Sequence, residues 1–153
     1  MSAQDKLAAA LWEADRHAVT LSDALTEWHQ MPGIAPEQVQ QDRALIRLVD
    51  QILYRFAKLQ DSLGERLVPA TLAVLAEPYE DQPMRDRLNR LEKLGFIDVN
   101  TWLAWRELRN RLAHEYPEAA AARLAALQAT VEAATALVDG YQHWRNKVAG
   151  AKS

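Results

Sequence analysis

The chain contains no cysteine, which removes disulfides, thiolate metal sites and cysteine nucleophiles together. Glycine and proline are scarce, at 5 and 6 of 153 residues. Ala, Leu, Arg, Glu and Gln dominate instead, and these side chains lose little freedom in a helix, so the expected fold class is all-α. No stretch approaches about eighteen uninterrupted apolar residues, so no membrane span is expected. Residues 1–10 include Asp5 and Lys6 and lack the apolar core of a signal peptide. The expected location is therefore the cytoplasm, which the absence of cysteine also fits. A glycine-rich phosphate loop and a nucleophile elbow are both missing. The four histidines, His17, His29, His114 and His143, show no metal-ligand spacing with one another, so no metal or cofactor is expected. Positive charge is not in excess either: the formal net charge is −3, and nothing global draws the chain to a polyanion.

What remains is ordinary globular material, 49% apolar and 25% charged, in a length suited to one domain. Leu7, Leu11, Ala14, Ala18, Leu21, Leu25 and Trp28 recur at steps of four and three, one stripe of a helix. Met31-Pro32-Gly33 breaks it. Leu45, Val49, Ile52, Phe56, Leu59 and Leu63 repeat the rhythm, and the helix is expected to continue towards Leu75 with a kink or restart at Pro69. A short helix from about Pro83 carries Met84, Leu88, Leu91 and Leu94, with Gly95 as its C-cap. Asp98 is the expected N-cap of a helix presenting Val99, Trp102, Trp105, Leu108 and Leu112, which Pro117 should end. Leu124, Leu127, Val131, Ala134, Val138 and Tyr141 mark the last helix. The expected architecture is an antiparallel, up-and-down four-helix bundle with one additional short helix, a single domain over 1–148 with a frayed tail over 149–153.

Charge is locally uneven. Between Arg85 and His114, Arg85, Arg87, Arg90, Lys93, Arg106, Arg109 and Arg111 face only Asp86, Glu92, Asp98 and Glu107. On charge alone this reads as a solvated helix face laced with ion pairs. The tryptophans and tyrosines (Trp12, Trp28, Trp102, Trp105, Trp144, Tyr54 and Tyr141) are assigned to the core or a dimer interface rather than to base stacking, with Trp102 and Trp105 on the dimer seam. His29 and His143 read as surface residues, and Asp61 as a solvated or capping carboxylate, with a place lining the cleft as the alternative.

One stretch stands apart, Arg109-Asn110-Arg111-Leu112-Ala113-His114-Glu115-Tyr116. Asn110 and His114 are four apart and share a helix face. Arg109 lies beside Asn110 with a side chain long enough to swing towards it, and Pro117 can re-aim Tyr116. Metal-free RNA cleavage needs a base for the ribose 2′-hydroxyl proton and an acid for the leaving oxygen, and histidine suits both tasks. The phosphorane needs a cation, and an arginine offers two parallel hydrogen bonds. One helix end supplies one of each; a two-fold dimer would supply two. An Arg followed five residues later by a His arises by chance in roughly a quarter of chains this long. Adding the Asn and the Tyr makes chance agreement about a thousandfold rarer.

The pattern Arg109-Asn110-x-x-x-His114-x-Tyr116, late in an all-helical chain, resembles the HEPN superfamily, and within it the HepT-like toxins paired with a minimal nucleotidyltransferase antitoxin. Residues 55–61, 88–97 and 105–110 also look like that branch, and the resemblance covers about 35–137. It implies a homodimeric, metal-independent endoribonuclease without cofactor, with Arg109 and His114 catalytic and Asn110 positioning them. It further implies that Tyr116 matches a tyrosine that the nucleotidyltransferase modifies with AMP in some members. An AMP there would set negative charge and bulk beside His114 and block RNA. The alternative is a non-catalytic helical substrate-binding or partner subunit of a nucleotidyltransferase complex.

Overall fold

A computed structural model describes residues 1–114 and 117–152. The protein is all-helical: seven α-helices and one π-helical turn, with no strand, are found among the described residues. None of these helices is long and apolar enough to cross a membrane.

The first helix, α1 (Ala3–His29), starts from a capping box in which Ser2 accepts the Asp5 amide and Asp5 accepts the Ser2 amide. The seven-residue stripe from Leu7 to Trp28 is buried as its spacing predicts. A four-residue helix, α2 (Gln38–Gln41), which the sequence did not signal, leads into α3 (Arg43–Ser62). Asp42 caps α3 by accepting the Ala44 and Leu45 amides.

The second helix does run on past Gly64, through a π turn (Leu63–Leu67) into α4 (Val68–Val74), with Pro69 in the first turn of α4. Just before it the Val68 amide reaches back five residues to the Leu63 carbonyl, so the π turn carries the helix up to the residue that cannot donate. Next comes α5 (Met84–Lys93). Gly95 ends it at φ +85, its amide bonding the Glu92 carbonyl while the Phe96 amide bonds the Leu91 carbonyl. This is the left-handed C-terminal motif in which a glycine carries no Cβ penalty.

Asp98 accepts the Thr101 amide and begins α6 (Val99–His114) as expected. The last helix, α7 (Ala120–Lys152), includes 149–152 of the tail expected to fray, and Val148 is buried. One hydrophobic core joins all the long helices; α1 packs on α3, α4 and α7, and α3 also touches α6 and α7.

The placement of α6 follows from Trp102, 1% exposed. Its ring lies so close to Gly64 that a Cβ there would stand 3.3 Å from it. Trp105 makes the same kind of contact with Gly140 of α7. The two tryptophans therefore pack α6 inside one protomer. For Trp102 this corrects the expectation of a dimer-seam role.

Candidate functional site

Helical phase decides where the motif side chains go. Arg109 is seven residues after Trp102, two turns along the same buried stripe of α6. A guanidinium on such a stripe needs a partner, and Asp61 of α3 provides it. Arg109 Nε and Nη2 donate to the two Asp61 carboxylate oxygens at 3.1 and 2.9 Å. Both side chains are 28% exposed. Asp61 raises the Arg109 pKa above the ordinary arginine value, chiefly through these hydrogen bonds. Asp61 is thus neither a free surface carboxylate nor a helix cap: it fixes the guanidinium. The phase of Arg109 with Trp102 signalled that a partner was needed, but not that Asp61 of α3 would supply it.

Asn110 and His114 lie on the exposed side of α6, as their four-residue spacing predicts. Neither side chain hydrogen-bonds another described residue. Leu103, 39% exposed, is seven residues before Asn110 and shares that outward stripe. Arg109 does not swing towards this patch. Five residues of helix separate it from His114, which is about 140° around the axis and about 7.5 Å along it. Within one protomer the cation and the imidazole point apart. Tyr116 lies outside the described residues.

Beside the Asp61–Arg109 pair is a groove of about 400 Å³, lined by Asp61, Glu65, Arg85, Leu88, Trp102 and Arg106 among others. Part of the positive charge read from 85–114 is engaged locally. Arg90 makes two hydrogen bonds to Glu77, Arg111 pairs with Glu107, and Arg87 donates to the Tyr79 carbonyl. No group of three or more His, Asp or Glu that could hold a metal ion is found among the described residues.

The aromatic assignments divide. Trp28, Trp102, Trp144 and Tyr141 are buried, and Trp105 packs against the core. Trp12 and Tyr54 are not core residues: they are 64% and 53% exposed on the outer faces of α1 and α3. His29 and His143 are exposed as expected. No family model, curated protein or solved structure matches the chain.

Proposed function

We propose that the chain is a metal-independent endoribonuclease of the HEPN type that acts as a homodimer. It is restrained in this reading by a minimal nucleotidyltransferase antitoxin, with Tyr116 as the residue carrying AMP. The observation that carries the proposal is the Arg109-Asn110-x-x-x-His114-x-Tyr116 sequence pattern, of which Asn110 and His114 stand side by side and open to solvent at the end of α6.

The chemistry follows from the groups present. Asp61 occupies one edge of Arg109 through Nε and Nη2, leaving the Nη1 hydrogens and one Nη2 hydrogen for a phosphate oxygen. His114 takes the 2′-hydroxyl proton as that oxygen attacks phosphorus. The P–O5′ bond breaks, and the His114 of a second protomer protonates the departing 5′-oxygen. The products are a 2′,3′-cyclic phosphate and a 5′-hydroxyl. Because Arg109 and His114 diverge within a protomer, the second copy is required. The exposed stripe of Leu103, Asn110 and His114 supports an α6-to-α6 contact.

The bundle is read as four long helices, α1, α3, α6 and α7, in up-and-down order. Support comes from the contacts Glu13–Ser62 and His17–Arg55, which advance in opposite directions along α1 and α3.

The experiment is cleavage of single-stranded RNA by the purified chain in the presence of a chelator, with Arg109→Ala and His114→Ala alongside. Activity that both substitutions abolish, with the dimer intact, supports the reading. A wild-type chain that leaves RNA uncut sinks it. The second reading, a silent partner subunit, is favoured by the engagement of Arg109 with Asp61, which offsets its charge. In that case the wild type cleaves nothing, and His114→Ala alters only affinity for the partner or its ligand. Intact-mass measurement after co-expression with the nucleotidyltransferase tests the modification: an AMP increment mapped to Tyr116 is expected.

A further inference from the structure

The outer face shared by α1 and α3 has no role in the site above. Two large aromatic rings are exposed on the outer sides of these helices, Trp12 on α1 and Tyr54 on α3, and each has at least one cation over it. The Arg16 guanidinium lies 4.8 Å from the centre of the Trp12 ring. Arg55 and Lys58 lie 5.5 and 5.6 Å from the centre of the Tyr54 ring. Cations of both clusters act on His17, whose Nδ1 accepts from Arg55 Nη1 at 2.9 Å and which feels the charges of Arg16, Arg55 and Lys58 together. None of these three cations forms an ion pair with a carboxylate of a described residue. Glu13, the one carboxylate acting on His17, is turned to Ser62 and Arg66.

We propose that this face is a landing platform for single-stranded RNA, with Arg16, Arg55 and Lys58 meeting phosphates while bases stack beside Trp12 and Tyr54. Its recognition chemistry is phosphate plus exposed base faces; that the strand is RNA rests on the ribonuclease reading. A second copy of this chain fits poorly, because a two-fold contact centred here would set like cations against one another. An apolar protein partner fits no better, since each ring carries a cation. A duplex keeps its base faces stacked inside and could use only the cations. The platform also leads to the site: Asp61 is seven residues after Tyr54 on the same stripe of α3, about 10 Å along the axis. A strand laid over Tyr54 and Lys58 therefore runs towards Arg109.

The test is fluorescence anisotropy of a labelled, single-stranded 2′-O-methyl oligoribonucleotide, which the proposed chemistry cannot cut, titrated with the whole chain over a range of salt concentrations. Arg16→Ala/Lys58→Ala is expected to weaken binding roughly tenfold and to reduce the salt slope by about 1.4, that is 0.7 per lost phosphate contact. Trp12→Ala/Tyr54→Ala is expected to weaken binding at least about tenfold with the salt slope unchanged. Lys93→Ala, which removes a cation from α5, should bind as wild type. All the replaced side chains are exposed, and circular dichroism melts of the variants confirm folding. The platform is overturned by any of three results: both double variants bind like wild type, the wild type does not bind, or Trp12→Ala/Tyr54→Ala turns a dimer into monomers. The two proposals fail separately. If RNA is cut but the platform variants bind normally, only the platform falls. If the platform variants lose binding but RNA is never cut, only the ribonuclease reading falls.

Discussion

Two guanidinium groups are anchored at α3, six residues apart along that helix, and they are held in opposite ways. Arg109 arrives from α6 and gives two hydrogen bonds to the Asp61 carboxylate. Arg55 leaves α3 for α1 and gives one to the lone pair of the His17 ring, while its own Nε is buried without a partner. In the first case the positive charge is fixed in direction and locally offset. In the second it keeps its full field, because its acceptor is neutral, and the neighbouring Arg16 and Lys58 add to it. Composition counts these residues alike. What separates them is whether the helix opposite supplies a carboxylate or an imidazole, and that decides whether a cation serves as an oriented tool or as part of an attractive surface.

The largest way to break the comparison is to unseat α6. Trp102→Ala removes a fully buried ring from its contact with Gly64 and is expected to cost about 3–5 kcal/mol. Denaturant titration measures it; a loss below about 1 kcal/mol would mean that Trp102 does not set the helix. Arg109 should lose its seat in this variant, whereas the α1–α3 contact at Arg55 should survive. Next in size, on the ribonuclease proposal, are Arg109→Ala and His114→Ala, each expected to lower RNA cleavage by about 10²–10³-fold with little change in melting temperature. Equal loss of structure and activity would show them to be scaffold instead.

Asp61→Asn sharpens the contrast further by making the Arg109 partner neutral, as that of Arg55 already is. The pair is more than a quarter exposed, so its stability cost is small, about 1 kcal/mol or less. On the same proposal kinetics should reveal more: a carboxylate facing an incoming phosphate would repel it, yet it would also aim the guanidinium. Removing the charge is therefore expected to lower KM while lowering kcat about tenfold, since a misdirected donor loses transition-state contact. A rise in both constants would show that Asp61 restrains Arg109 rather than aiming it.

Much of this was legible in the sequence because burial follows period. The stripe from Leu7 to Trp28, the caps at Asp98 and Gly95 and the continuation past Gly64 all rest on local rules, and the structure matches them. The pairing of Asn110 with His114 on one face was legible for the same reason. Arg109 was misread as free to join them, although its spacing from Trp102 places it inward. For Trp12 the core half of the expectation failed because aromatic character outweighed phase. Trp12 lies on the side of α1 opposite the Leu11–Ala14–Ala18 stripe, where a ring cannot reach the core. The partners Asp61 and His17 depend on which helices become neighbours, and no single-helix pattern carries that information.

The smallest predicted effect concerns His17. An arginine can only donate, so the bond from Arg55 requires the His17 Nδ1 lone pair, and the ring is neutral with its proton on Nε2. Burial first, and the Arg55 charge second, hold its pKa below the ordinary histidine value. Arg16 and Lys58 push the same way, and Glu13 opposes them. The unfolded chain, titrating at about 6.5, therefore binds this proton more readily than the folded one. The stabilising contribution is complete above that value and is lost as pH falls through the lower folded pKa. His17→Gln keeps an acceptor for Arg55 but does not titrate, so it should remove this part of the acid sensitivity in denaturation measured against pH. Arg55→Leu should move the His17 titration, followed by NMR, upwards but not fully back, because the burial contribution remains. A wild-type His17 that titrates at or above about 6.5 would mean that the ring accepts no hydrogen bond from Arg55, and the cations around it would then lose the neutral anchor that leaves their field intact.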